Sequence, residues 1–92
     1  MRIDITTEPS AEVLDKLGCR SWPTWGKGPS IFPWHYDEKE TCLIIAGKVT
    51  VTPNGGGEAV TISQGDLAVF PQGMGCTWEV HEAVRKHYKF GD

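Results

Sequence analysis

The sequence has 92 residues, with nine Lys or Arg against twelve Asp or Glu, and a formal net charge of −3 at pH 7. This length predicts one domain with a modest core, and the dispersed charge gives no support for a nucleic-acid or membrane-surface partner. The longest uncharged apolar stretch, Thr41 to Ala46, is far shorter than the roughly twenty residues needed to span a bilayer, so we expect a soluble protein.

The first twenty residues predict a short strand followed by the one helix of the chain. Arg2 to Thr6 alternates in hydrophobicity, Ser10 can cap a helix, and Gly18 can end it. We expect residues 1–20 to form a brace beside a barrel that is built by residues 21–92.

The rest of the chain predicts short strands, because eleven Gly and six Pro punctuate runs of β-branched and aromatic residues. An all-β sandwich or barrel is the expected fold class. After Arg2 to Thr6, the predicted strands are Ser21 to Trp25, Ile31 to Tyr36, Glu40 to Ala46, Lys48 to Thr52, Ala59 to Ile62, Leu67 to Phe70, Cys76 to Val80 and Val84 to Phe90.

Two residue spacings resemble the sequence motifs of the cupin superfamily. One matches the second half of cupin motif one, and the other matches the first half of motif two. The matching residues are His35, Glu40 and Gly47, then Gly65, Pro71 and Gly73. The chain also resembles the small cupins grouped with the (S)-ureidoglycine aminohydrolase cupin domain and the ethanolamine-utilisation cupin. This resemblance implies an all-β, single-domain jelly-roll β-barrel, frequently dimeric, with a ligand pocket in its mouth.

The resemblance implies a metal site, but the ligand residues depart from the motifs. Pro33 stands at the first histidine of motif one, Cys76 at the histidine of motif two, and Val80 at its asparagine. His35, Glu40 and Cys76 could still hold a divalent metal, Zn or Fe. The alternative, favoured because one donor is missing, pairs His35 with Glu40 and packs Cys76 as a small apolar residue.

Strand alternation predicts which side chains share the interior. If Glu40 faces inward, Cys42 does so too, and Cys76 brings Trp78 with it. The motif allows two spacings before Glu40. One turns His35 inward, and the other turns Trp34 and Tyr36 inward. We leave both open and expect Glu40, with His35 or Tyr36, to carry any acid–base chemistry.

The candidate pocket residues beyond this catalytic group are Trp34, Cys42, Trp78 and His87. His87 is included because either it or its neighbour Tyr88 must face inward on the last strand. A mostly apolar pocket with a few polar groups is the usual form of a small-molecule site.

We therefore expect this protein to bind or convert a small polar metabolite, and the resemblance implies an aminohydrolase-like reaction. The alternatives are a non-catalytic sensor and a metal-free isomerase or epimerase. The outward face of Thr41, Leu43 and Ile45 is too apolar for water, so either the N-terminal strand and helix or another copy of the chain must cover it, and a homodimer is the preferred expectation. The N-terminus lacks a secretory pattern and the three cysteines form no framework, which predicts a cytoplasmic protein, or an organelle stromal one if a targeting segment was removed.

Overall fold

The computed structural model describes residues 2–91, and strands make up most of that range. Met1 and Asp92, the ends of the predicted domain, lie outside the described residues. Within 2–91 there are seven strands, one α-helix and one 3-10 helix: β1 (Asp4–Thr6), α1 (Ala11–Leu17), the 3-10 helix (Cys19–Ser21), β2 (Thr24–Lys27), β3 (Ser30–His35), β4 (Glu40–Pro53), β5 (Val60–Ser63), β6 (Leu67–Phe70) and β7 (Gly75–Phe90).

The strands form one antiparallel sheet in the order β1-β6-β4-β7-β2, in which β3 also pairs with β7 and β5 with β4. This confirms the all-β cupin fold with one short helix, although the sheet is not closed into a complete barrel. None of the helices in residues 2–91 is long and apolar enough to cross a membrane.

Two long strands replace four of the predicted short ones. The pairing of β4 with β7 continues through register shifts between Ile44 and Val49, so the expected break at Gly47 is a bulge. Gly47 has φ +94°, and a Cβ there would lie 2.3 Å from the Ala83 carbonyl oxygen. The predicted strand Ser21 to Trp25 is also corrected, because its start lies in the 3-10 helix and the strand itself is β2.

The inner face of the sheet carries the main core. Its fully buried large side chains include Trp78, Tyr36, Phe70 and Ile44. Ile3, just before β1, also packs into this core, and β1 pairs with β6. The first strand is therefore part of the sheet and not only a brace beside it.

The helical segment covers the outer face of the sheet. The Ser10 hydroxyl accepts a hydrogen bond from the Val13 N–H at 3.2 Å, and Gly18 ends α1 in the left-handed conformation. Cys19 is fully buried against Leu43 and Leu67. The apolar face from which we expected a homodimer is thus covered, at least in part, by the chain itself.

Candidate functional site

A pocket of about 180 Å³ opens on the inner face of the sheet. The lining comes from β2, β3 and β7, and from Glu40, the first residue of β4, which is buried at the floor. The lining residues are Trp25, Phe32, Trp34, Glu40, Trp78, Lys86, Tyr88 and Phe90. Six of these eight side chains are aromatic, so the walls offer flat apolar surfaces around the two charged groups.

The two charged groups form a buried ion pair. The Lys86 ammonium donates a hydrogen bond to Oε2 of Glu40, and the two residues are only 6% and 1% exposed. The Lys86 nitrogen also lies 5.1 Å from the ring centroid of Trp25 and 4.7 Å from that of Trp78. Both distances are within the range of a cation–π interaction, so two aromatic rings and one carboxylate fix the position of the ammonium.

A hydrogen bond behind the pocket holds one of these rings in place. Trp78 Nε1 donates to the Tyr36 hydroxyl at 3.1 Å, and the Tyr36 ring stacks on Phe70 with centroids 4.9 Å apart. Desolvation raises the pKa of Tyr36 well above its ordinary value, and the nearby Glu40 carboxylate adds to the effect. Tyr36 therefore remains a neutral phenol that positions Trp78.

Two of the three cysteines lie beneath the pocket as buried thiols. Burial raises the pKa of Cys42 to about 12, with Glu40 adding to the rise and Lys86 opposing it. Burial likewise raises the pKa of Cys76 to about 11, partly offset by Trp78. Both stay protonated at neutral pH, and neither lines the pocket. Cys42 thus faces the interior as expected but is not a pocket residue.

The two candidate histidines lie outside the pocket. The inward side chains of β3 and the residue that follows it are Phe32, Trp34 and Tyr36, which turns His35 to solvent. The His35 side chain is 60% exposed and its Nδ1 lies 3.2 Å from Asp37 Oδ1. This corrects the expectation that His35 shares a site with Glu40. The reason is that side chains alternate between the two faces of a strand. The three inward positions carry aromatic residues, so His35 between two of them faces outward.

His87 is corrected for the same reason. Its Nδ1 lies 2.9 Å from the Trp22 carbonyl oxygen, on the outer face of the sheet. Tyr88, its neighbour, lines the pocket instead.

The expected metal ligands are not brought together. In the part of the chain that the structure describes, no group of three or more His, Cys, Asp or Glu side chains could hold a metal ion. His35 points away, and the Glu40 carboxylate is already bound to the Lys86 ammonium. The donor set therefore does not fit a cupin metal centre.

Lys86 is the charged pocket residue that the sequence motifs do not identify. A lysine in a polar strand is usually expected to face solvent. Here Lys86 lies on the same face of β7 as Val84, Tyr88 and Phe90, which occupy every second position. That alternation was a usable signal, because a charge embedded in an apolar face is either paired or functional.

Comparison with solved structures identifies related proteins. The chain is similar to a DUF861 family protein from Thermotoga maritima at 45% identity, with a TM-score of 0.92, covering 97% of this chain and 99% of that one. It is also similar in fold to EutQ of Clostridium difficile and to a putative ethanolamine utilization protein Q from Salmonella typhimurium. Both are 23% identical with TM-scores of 0.63, covering 71% of this chain and 50% and 51% of theirs.

This chain thus spans about half the length of the two EutQ proteins. No curated protein sequence matches it. The model of the EutQ-like cupin domain matches residues 14–88, which include every residue of the pocket except Phe90. The chain therefore belongs to the EutQ-like cupin family.

Proposed function

We propose that this protein binds a small metabolite in the aromatic pocket, and that the Glu40–Lys86 pair supplies its polar contact. The observation that carries this proposal is the buried ion pair at the pocket floor. Burying two charges costs desolvation energy that their attraction often fails to recover, so such a pair is a poor device for stability alone. A small number of polar groups in an apolar pocket is, in contrast, the usual arrangement for ligand recognition.

The size of the pocket and its chemistry limit the ligand. A volume of about 180 Å³ is below the range of about 300 to 1,000 Å³ that is typical of drug-sized ligands. The aromatic walls favour a flat group. The Lys86 ammonium carries three N–H donors, and one of them is bound to Glu40, so a ligand oxygen can accept another. A small planar molecule with a carbonyl oxygen fits these features.

If the ligand is converted, Glu40 is the proposed proton-transfer group, with Lys86 beside it. An aminohydrolase-like reaction is supported by the sequence resemblance, and it needs an assay with small amides and ureides. The isomerase alternative loses support, because Tyr36 holds Trp78 and His35 faces solvent. A non-catalytic sensor remains the second candidate, since binding needs no further group in the pocket.

Tryptophan fluorescence tests the binding proposal. Trp25, Trp34 and Trp78 line the pocket, whereas Trp22 packs on the outer face. A panel of small amides, ureides, oxo acids and aldehydes should contain compounds that quench the emission saturably. Trp34→Phe should reduce this response, and the matched control Trp22→Phe should preserve it. A panel without a saturable response, or a response lost only in Trp22→Phe, would reject the pocket as the binding site.

Glu40→Gln then separates an enzyme from a sensor. An enzyme that needs the carboxylate should retain affinity and lose turnover, whereas a sensor should show no turnover in either form. Circular dichroism of the variant verifies that it is folded.

The proposal also includes a homodimer and a reducing, cytoplasmic compartment. Outside the pocket, Ile31 and two residues of α1, Val13 and Leu17, are large apolar side chains exposed to solvent in the single chain, which supports a partner surface. The three cysteines are free and buried, which supports a reducing compartment. Light scattering with size-exclusion chromatography measures the mass of the assembly.

A further inference from the structure

We propose that Lys86 is a nucleophile that forms an imine with a small aldehyde or ketone, and that Glu40 carries the proton for this step. The inference rests on the proposed function, because it uses the same pocket. It adds the substrate class, a carbonyl compound, and a covalent step.

The Lys86 amine lies in a desolvated environment. Lysines that form imines are typically desolvated, because an amine must lose its proton before it can attack a carbonyl carbon. Lys86 is 6% exposed and its nitrogen lies against two indole rings. It nevertheless lines the pocket, so a molecule that enters there lies beside this side chain.

A single carboxylate, that of Glu40, accepts a hydrogen bond from that amine. Proton transfer along the hydrogen bond converts ammonium and carboxylate into a neutral amine and a carboxylic acid. Once the charges are removed in this way, the pair no longer carries the desolvation cost of two charged groups in an apolar pocket. Glu40 is thus placed to take the proton and to return it during the same reaction.

The net charge of the site favours a neutral substrate. Lys86 and Glu40 are the only charged residues among the described pocket residues, and together they are neutral. An anionic ligand would leave the buried site with an uncompensated negative charge, which is costly in apolar surroundings. A neutral carbonyl group adds no charge, and its oxygen can accept a hydrogen bond from Lys86.

The reaction balances with the two residues alone. After the proton moves to Glu40, the amine lone pair attacks the carbonyl carbon. The C–N bond forms, the C–O π bond breaks, and a proton passes from nitrogen to oxygen to give a carbinolamine. Glu40 then protonates the hydroxyl, the C–O bond breaks, and water leaves. The products are a protonated imine on Lys86, the Glu40 carboxylate and one water, with no oxidant or reductant consumed.

Reductive trapping with propionaldehyde tests this step. The protein is incubated with the aldehyde and sodium cyanoborohydride, and the adduct adds the mass of the aldehyde less one oxygen atom. Peptide mapping compares Lys86 with Lys27, an exposed lysine whose ammonium lies 5.4 Å from the Phe32 ring centroid. Lys27 is the internal control because it also contacts an aromatic ring but lies outside the pocket.

The expected result is faster labelling of Lys86 than of Lys27 in the wild-type protein. Labelling at Lys86 should be lost in Lys86→Arg and unchanged in Lys27→Arg. It should fall by about 100-fold in Glu40→Gln, the lower range for the loss of a general acid–base group. The comparison within one wild-type molecule holds even if the Glu40 variant does not fold.

Two results would overturn the inference. In the first, propionaldehyde quenches the pocket tryptophans saturably, yet Lys86 is labelled no faster than Lys27. Binding would then stand and the imine would be rejected. In the second, neither propionaldehyde nor any other panel compound produces a saturable response and Lys86 is not labelled, which would reject the proposed function together with the imine.

Discussion

Replacing Lys86 with methionine should destabilise the protein strongly, because it leaves the Glu40 carboxylate buried without its partner. Methionine retains most of the side-chain length and apolar volume, so the main change is the loss of the ammonium. The Lys86 and Glu40 side chains are 7% and 2% exposed, and water therefore cannot compensate the remaining charge. Breaking such a pair costs about 3 to 5 kcal/mol.

Two further variants separate this effect from ordinary packing damage. Glu40→Leu/Lys86→Met removes both charges and should recover much of the lost free energy of unfolding, because apolar replacements of buried pairs are often tolerated. Arg20→Met is the matched control on the surface. Arg20 lies 3.3 Å from Asp15, with side-chain exposures of 60% and 74%, so its loss should cost at most about 1 kcal/mol.

Urea denaturation monitored by circular dichroism measures all three variants. With an m-value of about 1 to 1.5 kcal/mol per M, the Lys86→Met midpoint should fall by about 2 to 5 M. A fall equivalent to less than about 1 kcal/mol would refute the argument that the pair is desolvated. A double variant as unstable as Lys86→Met would also refute it, since the damage would then not be electrostatic.

Three further changes test other parts of the structure. Gly47→Ala should lower the urea midpoint far more than Gly55→Ala, because both glycines have positive φ but only Gly47 faces backbone atoms within 3 Å. Tyr36→Phe should cost about 1 to 3 kcal/mol, since it leaves a buried indole N–H without an acceptor, and thermal unfolding measures the loss. Cys42 and Cys76 should resist alkylation at pH 8 until urea unfolds the chain. Their raised pKa values also predict that the free energy of unfolding falls as pH rises above about 9, because the unfolded thiols ionise first. Alkylation as fast as that of a free thiol, or stability constant up to pH 11, would contradict the burial of these thiols.

Turn residues made much of the fold predictable. Glycine and proline mark the ends of short strands, and the spacing from Glu40 to Gly47 and from Gly65 to Gly73 indicated a cupin. The same pattern predicted a strand break at Gly47 that is wrong, because a glycine can mark a bulge within a continuous strand as readily as a turn. Only the pairing of β4 with β7 distinguishes the two cases, and that pairing joins residues far apart in sequence.

The candidate site was predictable only in part, because a single-residue shift reverses every side chain of a strand. His35 and Tyr36 are neighbours, and the motif spacing allowed either to face inward. Phe32 and Tyr36 settle the parity, since burying these two rings is more favourable than burying one histidine, and Tyr36 is only 1% exposed. Glu40 was identified from its motif position. Lys86 was overlooked because the chain carries it toward Glu40 from 46 positions away.

The segment before residue 14 affects how this protein should be expressed in pieces. The family match begins at residue 14, inside α1. A fragment cut there would lose β1, the core contact of Ile3 and the Ser10 cap. It would leave one edge of β6 open to another chain, which promotes aggregation. For this fold, the recognisable family region is shorter than the unit that can be handled in solution.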